Sequence, residues 1–290
     1  MLILLADAFT ADLPGRLGAF GTVSQDLASI GEAEVLIVRS KTKVDKAMID
    51  KAPKLKYIIR GGVGVDTIDV EYAKARNIAV DNTPEASSVA VAELAFAMMA
   101  AMPANIAPAD ASMKEGKWLK KELERTELMG KTLGLVGIGR IAREVAVRAK
   151  AFGMRVIAYD KYVSQSDVAE MTTLDKVFAQ ADFISLHTPL TDETKGMINA
   201  KSIATMKKGV RIINTCRGQV VVEEDVAAAL RSGALAGYAA DVFYKEPPEG
   251  SPLLSAPNAL LAPHLGASTA ENLIRLSDCI EERVKKYSGK

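Results

Sequence analysis

Three residues in the last third of the chain have the types and spacing to move a proton beside a bound anion. Arg217 stands in "RIINTCRGQV", Glu246 follows 29 positions later in "DVFYKEPPEG", and His264 another 18 positions on in "LLAPHLGAS". An imidazole, with an ordinary pKa near 6.5, can give a proton to a carbonyl oxygen at neutral pH. A carboxylate on its other ring nitrogen would fix the tautomer and favour the protonated ring. A guanidinium can hold a substrate carboxylate and polarise the carbonyl beside it. Each residue also has a plainer explanation: Arg217 as a helix cap or surface ion pair, Glu246 as a solvated loop charge, His264 as a packed histidine. The only other histidine is His187 in "SLHTPLT". A proline two residues on and no nearby glutamate make it a pocket wall rather than an acid or base.

A second constellation supplies what the first lacks. In "TLGLVGIGRIAREVAVRAKAFGMRVIAYD", residues Gly137 to Ala142 read G-x-G-x-x-A between an apolar strand and a helical pattern. Gly137 permits a tight turn, Gly139 lets the backbone approach a pyrophosphate, and Ala142 allows close packing of helix on strand. The helix N-terminus then offers free N–H groups and a positive dipole end to phosphate. Asp160 lies 21 residues after Gly139, at the end of the next strand. A carboxylate there accepts from ribose hydroxyls and repels a 2′-phosphate, so NAD is favoured over NADP, although Lys161 follows directly. The competing explanation is a structural turn followed by a surface aspartate. With a nicotinamide to supply hydride, the proton of His264 and the cation of Arg217 complete what reduction of a keto acid requires.

These residues need elements to bring them together. Short apolar runs alternate with helical patterns, the sequence form of an α/β protein with parallel sheets. The first part reads as strands at Leu2–Ala6, Val35–Arg39, Tyr57–Arg60 and Ala79–Asn82. Helices such as Val44–Lys51 and Val70–Arg76 separate them, and a long apolar helix over Ser87–Met102 ends at Pro103. A second series has strands at Thr132–Val136, Arg155–Tyr159, Phe183–His187, Val210–Asn214, Gly237–Asp241 and Leu260–Ala262. Helices at Ile141–Phe152, Thr173–Gln180 and Glu223–Ser232 follow most of them. Six strands with crossover helices make a doubly wound sheet, whose ligands bind beyond the carboxyl ends of the strands. That rule sets Arg217 past the fourth strand, Asp241 and Glu246 at and past the fifth, and His264 past the sixth. The stretch Thr269–Tyr287 is an amphipathic helix with no strand of its own, expected to pack back on the first domain.

Composition bounds the function classes. A chain of 290 residues suggests about two domains. Hydrophobic residues make up 49%, and a net charge of +1 argues against a large basic footprint for nucleic acid. Cys216 and Cys279 have no metal-ligand spacing and read as reduced thiols of a cytoplasmic protein. Cys216 as a nucleophile is disfavoured, since no histidine is near it in sequence. The start, "MLILLADAFTADL", lacks a basic region and reads as a buried strand rather than a signal peptide. Val89–Ala109 is the most membrane-like stretch, but Glu93, Pro103, Asn105 and Pro108 interrupt it, so no membrane partner is expected.

Taken together, "GLVGIGRIAREVA", "LHTPLTDETKGMIN", "INTCRGQVV", "DVFYKEPP" and "PHLGASTAEN" resemble the D-isomer-specific 2-hydroxyacid dehydrogenases, in that family's order. "RGGVGVDTID" and "VDNTPEASSVAVAELAFAMM" are similar to segments of its phosphoglycerate dehydrogenase branch. The resemblance implies two α/β domains with the active site in the cleft. A Rossmann NAD-binding domain would span 100–266, and a smaller flavodoxin-like substrate domain 1–99 and 267–290. It implies Arg217, Glu246 and His264 as catalytic residues. Gly137, Gly139, Arg140, Ile141, Asp160, His187, Thr188, Thr215, Asp241 and Thr83 would bind NAD. Arg60, Gly62, Val63 and Gly64 would bind the substrate, Val63 and Gly64 offering backbone N–H groups and Arg60 lying near a phosphate. No metal is implied. A homodimer is, with the Ser87–Met102 helix at its interface. The expected substrate pair is 3-phospho-D-glycerate and 3-phosphohydroxypyruvate, as in serine biosynthesis. Hydroxypyruvate or glyoxylate reduction is the alternative, and an NAD-sensing corepressor-like protein is the alternative outside enzymes. The chain departs from the family pattern in three places: Ala142 replaces the third glycine, "RGQVVVEED" replaces R-G-G-x-V-D, and Ser87 takes the place of an asparagine. The segment between Asp7 and Val35 is short, and no regulatory domain, hence no serine feedback through one, is expected after Lys290.

Overall fold

Near-continuous apolar tetrads such as VLIV and FISL make the central strands, because helices cover both faces of a parallel sheet. A computed structural model describes residues 1–289. They divide into two units, one of Met1–Ala90 completed by the stretch from Ala267, the other of Val91–Gly266. The first contains β1 (Leu2–Leu5), α1 (Leu13–Leu17), β2 (Thr22–Ser24), β3 (Val35–Val38), α2 (Lys46–Asp50), β4 (Tyr57–Arg60), α3 (Val70–Ala75) and β5 (Ala79–Asn82). Its five strands pair in parallel in the order β2-β1-β3-β4-β5, the flavodoxin-like arrangement.

The second unit follows α4 (Ser88–Ala101) and α5 (Ile106–Lys114) with β6 (Thr132–Val136), α6 (Arg140–Ala151), β7 (Arg155–Tyr159) and β8 (Glu170–Met171). Then come α7 (Leu174–Gln180), β9 (Phe183–Leu186), α8 (Ala200–Ala204), β10 (Val210–Asn214), α9 (Glu223–Ser232), β11 (Leu235–Ala240) and β12 (Ala259–Leu261). The strands form one parallel sheet in the order β12-β11-β10-β9-β6-β7-β8. The order reverses between β6 and β9, which is where doubly wound sheets bind ligands. The last helix, α10 (Ala270–Ser288), returns to the first unit. Its Ile280 and Val284 are fully buried against Ile3, Leu5, Leu13 and Leu17.

The sheet has seven strands rather than the six expected, because β8 is a two-residue edge strand without an apolar run to announce it. The first sheet gains β2 for the same reason, its three residues all reaching the surface. Helices α5 and α8 are additions to the expected set, while α1 lies between the first two expected strands, where a helix is expected without bounds. Pro108 does not break α5, since it falls in the first turn, where no intrahelical N–H bond is lost. Several expected helix starts move inward by one or two residues because a capping side chain stands there. Asp45 accepts from Met48 N–H, Thr173 from Lys176 N–H and Thr269 from Asn272 N–H. The division between units falls nine residues before the expected boundary at 99, since Ala92, Ala95, Met98 and Met99 of α4 join the second unit's core. No single described helix is long and apolar enough to cross a membrane; α4 and α5 reach that length only as a pair bent by 68°.

If α10 closes the first unit, Ile280→Ala should cost about 2–5 kcal/mol, the price of a large buried cavity. Ile274→Ala, 53% exposed on the same helix, should change stability by less than about 0.5 kcal/mol. Urea unfolding midpoints that moved equally would contradict this packing.

Candidate active site

Parallel pairing of β10, β11 and β12 delivers the loops after them to one edge of the sheet. Glu246 and His264 meet there: His264 Nδ1 lies 2.7 Å from Glu246 Oε2. Nδ1 then carries its proton toward the carboxylate, which leaves Nε2 as the nitrogen available to a ligand. The pair is largely exposed, with side chains 54% and 39% accessible, so its direct worth to stability is small and its effect is orientation. Glu246 is itself steadied by Phe243 N–H, which donates to Oε1 at 3.2 Å. His264 has φ 56°, a left-handed conformation in which histidine is tolerated better than most side chains. Asp241 enforces it. Its two oxygens accept from Leu265 N–H at 2.6 Å and Gly266 N–H at 2.7 Å, and burial pushes its carboxyl up. Asp241, expected among the cofactor residues, also holds the turn after β12 through these bonds.

Arg217 opens the turn after β10, and its Nη1 donates to Cys216 O at 2.5 Å. A Cβ at Gly218 would run into the backbone of Phe243 and Tyr244. Only glycine lets the Arg217 turn press directly on the loop that carries Glu246. Burial pushes the neighbouring Cys216 thiol up, away from the thiolate that a nucleophile needs.

The glycine turn lies at the reversal of strand order. Gly137 has φ 93°, and a Cβ on it would sit 2.6 Å from His187 O at the end of β9. Asp160 Oδ2 accepts from Ile138 N–H at 2.9 Å, and Oδ1 from Tyr162 and Val163 N–H, so this acid braces the turn. Gly139 caps α6 with no side chain, nothing lies within 4 Å of where its Cβ would be, and Arg140 and Ile141 form the first turn. The Thr215 hydroxyl is buried without a hydrogen-bond partner. An open helix N-terminus, a braced acid at the next strand and an orphaned hydroxyl all fit a dinucleotide. Thr188 lies against Cys216. His187 Nε2 is 2.8 Å from Ser185 Oγ, and burial pushes its imidazole down to about 4, so the ring is neutral at physiological pH.

In the first unit, the Arg60 guanidinium covers the space above Gly62. Thr83, expected with the cofactor residues, also holds this turn: its Oγ1 accepts from Gly62 N–H at 2.8 Å. Asn82 Nδ2 donates to Val63 O, which fixes the stretch leading to Gly64. Arg39 was not singled out from the sequence. Its side chain packs 3.4 Å from where a Gly61 Cβ would be, and its guanidinium lies 6.0 Å from the Phe9 ring centroid. The run Arg39, Lys41, Lys43 after β3 was the available signal. Among the described residues no cluster could hold a metal ion.

Comparison with known proteins agrees with this layout. Hydroxypyruvate reductase of Thermotoga maritima is 48% identical over 264 residues, covering 90% of this chain and 86% of that protein. D-3-phosphoglycerate dehydrogenase of Methanocaldococcus jannaschii is 45% identical over 271 residues, 91% of this chain but 52% of that one. The chain therefore spans about half the length of that dehydrogenase. Among solved structures, a glyoxylate reductase from Paecilomyes thermophila superposes with a TM-score of 0.91 at 29% identity, over 100% of this chain and 96% of that one. D-lactate dehydrogenase from Aquifex aeolicus, complexed with NAD and lactic acid, gives 0.87 at 30% identity, over 100% and 96%. Residues 96–266 match the family model of the D-isomer specific 2-hydroxyacid dehydrogenase NAD-binding domain. With the glycine turn of that domain and such identity along nine-tenths of its length, the chain belongs to the D-isomer specific 2-hydroxyacid dehydrogenases.

Proposed function

We propose that the protein moves a hydride between nicotinamide and a D-2-hydroxy acid or its 2-keto acid, with 3-phospho-D-glycerate and 3-phosphohydroxypyruvate as the substrate pair. The observation that carries the chemistry is the 2.7 Å contact between His264 Nδ1 and Glu246 Oε2. In the reducing direction, protonated His264 gives its Nε2 proton to the carbonyl oxygen, and Glu246 stabilises the ring while it is charged. Arg217 holds the substrate carboxylate and draws electron density from the carbonyl. The Gly137–Ile141 turn and Asp160 would hold NADH, which would supply the hydride. In the oxidising direction the neutral ring takes the hydroxyl proton at the same nitrogen.

The phosphorylated substrate is favoured by the Arg60 guanidinium, which covers Gly62. Arg suits phosphate because its planar donors match the oxygens two at a time. Hydroxypyruvate is the second reading, favoured by the hydroxypyruvate reductase that this chain matches over most of both lengths. A homodimer in the cytoplasm belongs to the same proposal, and light scattering reads the first of these directly.

His264→Asn is the informative variant, because asparagine accepts the left-handed backbone but cannot donate a proton. Turnover should fall about 10²–10⁴-fold, with the Kd for NADH unchanged. Loss of NADH binding in step with turnover would refute the assignment. Arg60→Ala should lower kcat/KM about 10–100-fold for 3-phosphohydroxypyruvate and leave hydroxypyruvate nearly unaffected. Equal losses on both would favour the unphosphorylated substrate.

His187 makes a separate prediction. Above pH 6.5 its ring is neutral both folded and unfolded, and contributes no pH dependence. As pH falls from 6.5 toward 4, the unfolded chain takes up a proton that the folded ring refuses, so stability is lost over that window. The loss should be on the order of 2–3 kcal/mol and absent in His187→Gln. Chemical denaturation at pH 7 and pH 5 checks it, and identical slopes for the two proteins would be the contrary result.

A further inference from the structure

Two polar side chains outside the proposed chemistry grip the loop that carries Glu246. Tyr244, two residues before it, is held at both backbone polar groups. Its N–H donates to Glu223 Oε1 at 2.8 Å, and its C=O accepts from Gln219 Nε2 at 2.7 Å. The other Glu223 oxygen accepts from Ser251 Oγ at 2.5 Å, so one buried carboxylate fastens the loop on both sides of Glu246. Gln219 is anchored in turn, its own C=O accepting from Gly196 N–H at 2.9 Å. Just before it, Gly218 brings the Arg217 turn into backbone contact with Phe243 and Tyr244. The Tyr244 side chain, 56% exposed, plays no part in this grip; the backbone alone is held.

The loop would otherwise have freedom that matters. A largely exposed carboxylate on a surface loop samples many positions, and a displacement of about 1 Å is enough to lose a directed hydrogen bond. We propose that Gln219 and Glu223 are positioning residues that hold the Tyr244 backbone so that Glu246 stays on Nδ1 of His264 and Nε2 is kept free of its proton in the neutral ring. This rests on the reading of His264 as the proton-transfer group. The position at 219 is where the family's pattern has a glycine, which has no side chain to reach Tyr244. Glu246 and the more buried Asp241 are charged groups that face His264, and none of the Gln219 and Glu223 variants below alters them.

The test reads the tautomer directly. With uniform ¹⁵N labelling, the ring nitrogens of His264 are followed at pH 9, well above the range in which an ordinary imidazole carries its second proton, and assigned by their disappearance in His264→Asn. Only His187 contributes other imidazole signals. In the unaltered protein the Nδ1–H form should dominate. Gln219→Met keeps the side chain's length, removes the donor and alters a half-buried position, so it should fold. It should raise the Nε2–H population about threefold or more. Glu223→Ala should do the same, and Glu223→Gln, which still offers an acceptor to Tyr244 N–H and a donor to Ser251, should not. In parallel, Gln219→Met should lower kcat about tenfold with the Kd for NADH unchanged. An unchanged tautomer ratio in Gln219→Met overturns the proposal, and so does an equal shift in Glu223→Gln and Glu223→Ala. Because the ¹⁵N measurement needs no turnover, inactive unaltered protein would count against the functional reading alone, while normal turnover with an unmoved tautomer would count against the clamp alone.

Discussion

The site depends on parallel pairing of β10, β11 and β12. Parallel strands all finish at the same edge of the sheet, so the loops after them arrive together however far apart they are in sequence. Arg217, Glu246 and His264 span almost fifty residues, yet they follow three neighbouring strands. The same rule puts the Gly137 turn and His187 side by side at the reversal between β6 and β9. Strand order supplies proximity, and the finer alignment comes from side chains that bind backbone.

Three acids share that finer task. Asp160 braces the glycine turn, Asp241 braces the turn after β12, and Glu223 braces the loop between β11 and β12. Each accepts from main-chain N–H groups that a loop leaves without strand or helix partners, where an unmade bond would be costly, Glu223 through one oxygen while its other takes the Ser251 hydroxyl. Charge-assisted bonds of this kind are stronger than neutral ones, so a few carboxylates can make irregular segments as well defined as the strands they join. The cost is burial of charge, visible in the upward push on Asp241.

Much of this was legible in the sequence. Largely apolar runs located β4, β6, β7 and β10 to the residue, because parallel strands covered on both faces need them, and the partly exposed β5 was placed as well without one. The order of Gly137, Asp160, Arg217, Glu246 and His264 could be read because their chemistry depends on residue type. The short edge strands β2 and β8 could not, since two or three partly exposed residues carry no periodicity. Glu223 could not be told from Glu224 in "VVVEED": both look like acids at a helix start, and only burial distinguishes the one that turns inward. Thr83 and Asp241 are expected at the cofactor through the family resemblance. Their bonds to Gly62 on one side and to Leu265 and Gly266 on the other go to backbone groups that residue types do not reveal.

The left-handed backbone at residue 264 has a consequence for how this chain can vary. Few side chains accept φ near +56°, chiefly glycine, asparagine, aspartate and histidine. Few side chains exchange protons readily at neutral pH, and of the four only histidine does so without perturbation. An aspartate would fit the backbone but would face Glu246 with a like charge. The two requirements therefore overlap at a single amino acid. Drift at this position has no gradual route, and a descendant that keeps the turn must keep the histidine or give up the chemistry in one step.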